Sequence, residues 1–349
     1  MRIGVNTVGI EPLFDQEDTY LRYVLVNMKA VQKDVDIVVF TDMTNDVHYR
    51  QWKRIAVGRD AQPTPERPAE RTLDRAVKNS GVQCVYTPLR SAVGLGHIPY
   101  AAYAMDLDFM KKAHKPRFPW FRNPVRDMKK AAERAHSLIV PAEGIRRQMM
   151  QELGIPMNRV VVALPGVDAV FEKPAQSMAE PPYLLSIYNP HNPGALPMLL
   201  EAFDQLHDEF PHQLVVIGPP GSEEPEAWGP RILRIDACPP SQLAGLMQHS
   251  DAFVSTGLHG GALVSLLQAM CAGSRCIAPR IPPAEEIAGV HALYYVPGNV
   301  KSLTAVLRRV RQESEEDRRK LAEFIRRRAK EFTWENTAKR TLQALARSH

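Results

Sequence analysis

The sequence has few cysteines and no long apolar segment, and both features exclude classes of protein. The four cysteines among its 349 residues form neither a CxxC pair nor a zinc-binding spacing, so we expect reduced thiols that lie mostly in the core. No apolar run approaches the ~20 residues that cross a bilayer. No secretory signal is predicted either, because Arg2–Val5 already has the pattern of a first strand. We therefore expect a cytoplasmic protein.

The chain also lacks a strong excess of either charge. Its net charge of +5 allows an anionic ligand or an anionic membrane surface, but it is far from the balance of a nucleic-acid-binding protein. Because of this modest charge, we expect no nucleic-acid partner. No internal repeat is visible.

What the chain does contain is an alternation of strand and helix patterns. A chain of 349 residues suits two domains of about 150–180 residues each. In the first half, apolar runs predict strands at Arg2–Asn6, Asp36–Phe40 and Val82–Tyr86, and a helical stripe covers Tyr20–Ala30. The alternation predicts a parallel sheet with helices on both faces. The polar segment Arg50–Arg71 is expected to be an exposed excursion.

The segment Asp251–Gly289 is the most informative part of the chain. Its pattern predicts a buried strand at Ala252–Ser255, a glycine-rich turn, a helix that ends at Gly273, and a second strand that begins at Cys276. In such a unit, the loop amides and the helix amino end face whatever binds at the carboxyl edge of the sheet. The pattern therefore suits the phosphates or the ribose of a nucleotide.

Several motifs in this segment resemble those of one enzyme family. Gln268–Gly273 is similar to the pattern E-A-M-A-x-G, Cys276–Ala278 to V-I-A, and Glu286–Gly289 to E-x-x-G. Earlier in the chain, Leu153–Pro156 follow L-G-I-P, and Pro165–Asp168 follow P-N-G-V-D except that its asparagine is missing. Together these motifs resemble the retaining glycosyltransferases of family 4, also called group 1 glycosyltransferases.

The resemblance implies an α/β protein of the GT-B fold, with two Rossmann-like domains facing across a cleft. We expect an acceptor domain at residues 1–175, joined by a C-terminal helix at 336–349 that crosses back to it, and a donor-binding domain at 176–335. The polar segment Glu172–Pro182 is the expected linker. Phe332–Glu335, which resembles the family's F-x-W-E, precedes the returning helix.

The same resemblance implies an activity. Relatives move a sugar from a nucleotide-sugar donor to an acceptor with retention at the anomeric carbon and without a metal or a cofactor. The expected acceptor is a glycan or a lipid-linked sugar, as in polysaccharide biosynthesis.

The motifs also indicate the site residues, several of which depart from the family pattern. Asp106 lies in Met105–Leu107, where relatives carry His-Asp-Leu, so the histidine is absent. The loop Ser186–Gly194 has neither the arginine nor the lysine of relatives, and His191 is a nearby substitute for their charge. We take Asp106 and His191 as the candidate catalytic residues. The candidate donor-binding residues are Asn189, Gly218, Gly260, Gly261, Ala262, Leu263 and Gln268.

These departures leave two hypotheses open. Gly260 and Gln268 occupy the places of the family's two glutamates, so neither position is acidic. One hypothesis is a glycosyltransferase with an unusual donor site. The alternative is a catalytically inactive relative that acts as a binding or partner subunit, and a GT-B enzyme of another type is a third, weaker option.

The segment from residue 111 to 134 is the most basic part of the chain, with aromatic residues among its lysines and arginines. Such a mixture suits peripheral contact with an anionic membrane at its inner face. A solvated helix face with a few aromatic residues packed inward is the other interpretation.

Overall fold

The computed structural model describes residues 1–10, 16–42, 49–57, 69–95, 98–107, 124–188, 195–218, 229–236, 238–258 and 262–347. The chain forms two compact units. The first comprises Met1–Leu164 and Trp334–His349, and the second comprises Pro165–Thr333.

The first unit is built on a seven-stranded parallel sheet with the order β3-β2-β1-β4-β5-β6-β7. Its strands are β1 (Arg2–Asn6), β2 (Asp36–Thr41), β3 (Lys53–Ala56), β4 (Cys84–Pro88), β5 (Tyr100–Tyr103), β6 (Ser137–Val140) and β7 (Val160–Val162). Its first helices are α1 (Gln16–Val31), α2 (Ala69–Ser80), α3 (Pro124–Arg134) and α4 (Glu143–Leu153). Ile37–Phe40 of β2 are all buried, as expected for a strand that is covered on both faces.

The prediction of an exposed excursion at Arg50–Arg71 was wrong for part of that segment. Lys53–Ala56 form the edge strand β3, which pairs with β2 alone. None of its four residues is fully buried. The strand was missed because an edge strand with an exposed surface has no apolar run to reveal it.

The second unit contains a six-stranded parallel sheet with the order β10-β9-β8-β11-β12-β13. Its strands are β8 (Tyr183–Ile187), β9 (Gln213–Ile217), β10 (Ile232–Ile235), β11 (Ala252–Val254), β12 (Cys276–Pro279) and β13 (Ala292–Tyr295). Its helices are α5 (Leu196–Asp204), α6 (Pro240–His249), α7 (Ala262–Ala272), α8 (Pro282–Ala288), α9 (Val300–Gln312) and α10 (Glu315–Ala329).

The boundary between the units precedes the one expected after residue 175. The short turn Ala169–Phe171 packs against α6 and α7 of the second unit. The side chain of Gln248 holds the next residues, because its amide nitrogen donates to the carbonyls of Phe171 and Lys173 and its oxygen accepts from Ala175 N–H at 3.0 Å. Residues that follow Leu164 therefore belong to the second unit.

The last helix, α11 (Trp334–Ala346), belongs to the first unit and packs along α1. The indole of Trp334 stacks on the ring of Tyr23 with centroids 5.0 Å apart. The hydroxyl of Thr337 donates to the carbonyl of Leu164. The return of the C-terminal helix to the first unit is thus confirmed.

A partly buried ionic cluster joins elements at the amino edge of the second sheet. His212 Nε2 lies 2.6 Å from the carboxylate of Asp251, which also contacts Arg318 of α10. Burial alone would raise the pKa of Asp251, but the hydrogen bond with His212 and the charge of Arg318 outweigh it and lower that pKa. The ionised carboxylate therefore stabilises this edge.

Two further observations concern the outer surface. Helix α10 buries Ile325, whereas the neighbouring Phe324 is 49% exposed. Within the described residues, no helix is long and apolar enough to cross a membrane.

Candidate functional site

The second sheet has a topological switch point between β8 and β11. From β8 the order of strands continues to β9 and β10, whereas from β11 it continues to β12 and β13. In open parallel sheets, ligands bind at the carboxyl ends of the strands beside such a point. Helices α5 and α7 follow β8 and β11, so the amino ends of both helices lie at this edge.

Hydrogen bonds tie together the chain segments that leave β8 and β11. Ala195 N–H donates to the carbonyl of Thr256 at 2.8 Å, and the Thr256 hydroxyl reaches the carbonyl of Ile187 at 3.5 Å. Next to them, the carbonyl of Ser255 accepts a hydrogen bond of 3.0 Å from the hydroxyl of Tyr295. Burial raises the pKa of Tyr295, so this phenol stays a neutral donor. These hydrogen bonds therefore hold the segments that follow β8 and β11 together at this edge.

Gly218, a predicted donor-binding residue, lies where two chain segments approach closely. A Cβ atom at this position would be 2.4 Å from the carbonyl oxygen of Tyr188, which is closer than atoms can approach. The backbone is held in place because Gly218 N–H donates to Ile235 and Tyr188 N–H donates to Ile217, at 2.9 and 2.7 Å. Glycine is thus required here by packing, whether or not a ligand is bound.

Gly257 makes an even tighter approach in the turn after β11. A Cβ atom there would be 2.2 Å from the Cβ atom of Ala262, the first residue of α7. The turn therefore folds directly onto the beginning of the helix. This closeness places the amino end of α7 beside the end of β11.

Helix α7 presents two different kinds of predicted site residue. Leu263 is 1% exposed, so its side chain belongs to the core and only its backbone is available to a ligand. Ala262 and Gln268 are half-buried, although most of the helix is fully buried. Within the described part of the chain, the amide of Gln268 has no hydrogen-bond partner, so it retains its capacity to bind a hydroxyl group.

Four other predicted site residues, Asn189, His191, Gly260 and Gly261, lie outside the described residues. Of the donor-binding set, the structure thus brings Gly218, Ala262, Leu263 and Gln268 to one sheet edge and its adjoining helix.

Arg280, which the sequence analysis did not single out, is the first residue after β12 at this same edge. Its guanidinium carbon lies 5.3 Å from the centre of the Tyr294 ring, and Nη1 is 3.4 Å from the carboxylate of Glu285. Burial raises the pKa of Tyr294 to about 12, and its neutral hydroxyl donates to the carbonyl of Gly289. A single arginine directly after a strand was the only sequence signal for this residue.

Comparison with known families identifies the second unit. Residues 181–313 match the family described as group 1 glycosyl transferases. Most of the second unit thus matches a group 1 glycosyl transferase domain. The matched range runs from just before β8 into the end of α9, so it contains the switch point, α7 and Arg280.

Solved structures establish the fold of the whole chain as GT-B. Sucrose-phosphate synthase from Thermosynechococcus elongatus aligns with a TM-score of 0.76 at 16% identity, covering 98% of each chain. Anabaena HepE in complex with UDP and glucose aligns with a TM-score of 0.76 at 13% identity, covering 99% of each chain. The lipopolysaccharide outer core galactosyltransferase WaaB in its apo form aligns at 0.71 and 16% identity, also over 99% of each chain. No curated protein shows a significant sequence match.

Asp106, the candidate catalytic residue outside the glycosyltransferase domain, follows β5 at the carboxyl edge of the first sheet. It is half-buried, and Met105 before it is 3% exposed. A buried thioether cannot donate the hydrogen bond that a histidine would provide. This position therefore differs chemically from the matched position in the family pattern.

The first sheet has its own switch point, between β1 and β4. The segments that leave these strands are joined by an ion pair between Glu17 and Arg90 and by a hydrogen bond from Ser91 Oγ to the carbonyl of Val8. Burial and the negative charge of Glu17 raise the pKa of Tyr103 well above its ordinary value. This edge is therefore polar, with a neutral phenol beside paired charges.

Proposed function

We propose that the protein transfers a sugar from a nucleotide-sugar donor to a glycan or lipid-linked acceptor, with retention of the anomeric configuration and without a metal or cofactor. The observation that carries this proposal is that the group 1 match spans the switch point of the second sheet. The second unit, residues 165–333, would then be the donor-binding domain, and the first unit, residues 1–164 with 334–349, the acceptor domain.

The donor side of the proposal rests on α7 and the segments that pack against it. The amino end of this helix offers backbone N–H groups at Ala262 and Leu263, which suit an anionic phosphate. The amide of Gln268, which has no partner among the described residues, suits a ribose or sugar hydroxyl, although it is a weaker acceptor than a carboxylate. Anabaena HepE, whose fold is similar, has been crystallised with UDP and glucose, which favours a nucleotide sugar as the donor.

The catalytic side of the proposal assigns Asp106 to the acceptor and His191 to the departing phosphate. When the bond between the sugar and the phosphate breaks, negative charge grows on the phosphate oxygen, and a nearby hydrogen-bond donor or cation stabilises it. Asn189 would supply a neutral hydrogen bond in the same loop. A protonated His191 would add positive charge, and its effect would increase at mildly acidic pH.

A second candidate function is a catalytically inactive partner subunit. It is favoured by the neutral residues at Gly260 and Gln268, where the family pattern has glutamates, and by the buried Met105. This candidate predicts no affinity for nucleotides and a stable complex with an active transferase.

The proposal includes peripheral membrane contact through the basic segment at 111–134, on the cytoplasmic side. In its described part, α3 exposes Arg126, Lys129 and Lys130, a local excess of positive charge. Each basic residue near an anionic bilayer contributes about 1 kcal/mol to binding. Sedimentation with vesicles containing phosphatidylglycerol tests this. A double change of Lys129 and Lys130 to glutamine should reduce binding more than the matched double change of Arg319 and Lys320 on α10.

A thermal-shift panel with UDP-, GDP- and ADP-sugars tests the proposed function. A donor at 100 times its dissociation constant stabilises the folded state by about 2.7 kcal/mol. For domains of this size, that raises Tm by roughly 5–11 °C. With the donor identified, release of the nucleotide on addition of acceptor and the anomeric proton coupling of the product report transfer and retention. A flat panel together with a stable complex with an active transferase would instead support the partner subunit.

A further inference from the structure

The proposed donor site has an electrostatic problem. A nucleotide sugar brings a diphosphate to the edge of the second sheet, but the loop after β8 contains no lysine or arginine. Helix amino ends carry only partial positive charge. A full positive charge is therefore expected from elsewhere at this edge.

The sequence offers few sources for that charge. The connections that leave the carboxyl ends of the six strands are residues 188–195, 218–231, 236–239, 255–261, 280–281 and 296–299. They contain two basic residues, Arg231 and Arg280. Arg231 directly precedes β10 at the opposite edge, where Nη1 donates to the carbonyl of Phe210 at 2.7 Å. Among these connections, Arg280 is therefore the basic residue that lies at the carboxyl edge.

The backbone of Arg280 is fixed next to the switch point. Strand β12 pairs with β11, and this ladder extends to Ser255, whose N–H donates to Ile277 at 2.8 Å. On the other side, Arg280 N–H donates to the carbonyl of Tyr295 at 2.8 Å. Neighbouring strands are about 4.8 Å apart, so Arg280 begins only one strand away from the turn that leads from β11 into α7. The guanidinium lies over Tyr294 of β13, on the other side of β12, so contact with a ligand at that turn requires a change of rotamer, which a long, exposed side chain permits.

The guanidinium of Arg280 is available to an anion. Its side chain is 59% exposed, and that of its partner Glu285 is 42% exposed. Their separation of 3.4 Å is long for a charged hydrogen bond, and exposed pairs of this kind contribute little to stability. The ring of Tyr294 supports the guanidinium from one side without neutralising it.

We propose that Arg280 binds the diphosphate of the donor and supplies the permanent positive charge that the loop after β8 lacks. This inference rests on the proposed function. Glu285 then acts as a resting partner that the diphosphate displaces. A planar guanidinium binds two phosphate oxygens at once, which fixes the orientation of the diphosphate as well as its charge.

Calorimetric titration of four proteins tests the proposal. They are the wild type, Arg280→Gln, Arg280→Lys and Lys301→Gln, where Lys301 is an exposed residue in the first turn of α9, two strands away from β11. Each is titrated with UDP, GDP and ADP and with the corresponding nucleosides. The melting temperature of each unliganded protein verifies that it is folded.

We expect Arg280→Gln to weaken nucleoside diphosphate binding about tenfold, equivalent to about 1.4 kcal/mol, and to leave nucleoside binding unchanged. Arg280→Lys should recover part of the loss, and Lys301→Gln should change the dissociation constant less than twofold. Glu285→Gln should tighten diphosphate binding, which provides a second test that needs no change at Arg280.

The outcomes separate this proposal from the proposed function. If the wild type binds a nucleoside diphosphate and Arg280→Gln binds it equally well, the assignment of Arg280 is wrong and the proposed function stands. An equal loss for nucleoside and diphosphate, or an equal loss in Lys301→Gln, would also overturn it. If the wild type binds none of the nucleotides, the proposed function fails and this proposal fails with it.

Discussion

Replacing Gly257 by alanine should disrupt the turn after β11, unless Ala262 is replaced by glycine at the same time. A Cβ atom at residue 257 would lie 2.2 Å from the Cβ of Ala262, whereas the next atom, the Cα of Ala262, is 3.5 Å away. The clash therefore involves one methyl group. Without that methyl group, the new side chain makes an ordinary van der Waals contact.

The magnitude follows from this geometry. An extra methyl group forced into a packed site costs about 1–3 kcal/mol, and Ala262→Gly alone costs at most about 1 kcal/mol. The double variant should therefore be about as stable as Ala262→Gly alone, with a favourable coupling of about 1–3 kcal/mol. For a domain of this size, Gly257→Ala should lower Tm by roughly 2–12 °C.

Thermal unfolding of the wild type, both single variants and the double variant, followed by circular dichroism, measures this coupling. Nucleotide binding should follow the same order, with a loss in Gly257→Ala and a recovery in the double variant. If the effects on stability add within about 0.5 kcal/mol, the close contact between residues 257 and 262 does not exist and the described turn is incorrect.

Three further predictions concern other parts of the second unit. Gly218→Ala should lower Tm because its Cβ would lie 2.4 Å from a carbonyl oxygen. Gly229→Ala is the control and should leave Tm nearly unchanged, because its Cβ would have no atom within 4 Å. Equal melting temperatures for the two variants would contradict the packing described. The pKa of Asp251 is lower in the folded protein than in the unfolded chain, where it is about 4. The ionised carboxylate therefore contributes stability above about pH 4, and this contribution is lost as the pH falls through the pKa of the folded protein. Urea unfolding of wild type and Asp251→Asn should therefore differ at pH 7 and converge near pH 2, and a constant difference would refute the coupling. Burial raises the pKa of Cys271 to about 12, so iodoacetamide at pH 8 should modify the half-buried Cys238 before Cys271. Mass spectrometry of the native protein measures this order, and earlier modification of Cys271 would contradict the prediction.

The fold could be predicted from the sequence wherever strands are covered on both faces. The strand at Arg2–Asn6 has the predicted bounds, and the helix and strand that follow Gly257 are both present. Burial on both faces demands apolar runs, which are visible in the sequence. The exposed edge strand Lys53–Ala56 lacks this requirement, so its formation depends on pairing with β2, which only the structure reveals.

The candidate site could be predicted only in part. Motif spacing pointed to Gln268 and to the turn before α7, because a strand, a turn and a helix follow one another in sequence there. Arg280 was not recognised because no family motif marks it, and because its contacts with Tyr294 and Glu285 depend on how β12, β13 and α8 pack. The close approach of Gly218 to Tyr188 likewise depends on how two loops pack at the sheet edge.

Hydrogen–deuterium exchange with and without a nucleotide sugar tests the central claim most directly, because it locates the binding site as well as detecting it. We predict that UDP-glucose, GDP-mannose or ADP-glucose at saturating concentration slows exchange in peptides that cover the end of β11, the first turn of α7 and Arg280. Peptides from α10 should be unaffected and provide the internal reference. Unchanged exchange at the end of β11 and the start of α7 with every donor, or protection confined to other parts of the chain, would contradict the assignment of the donor site to this edge.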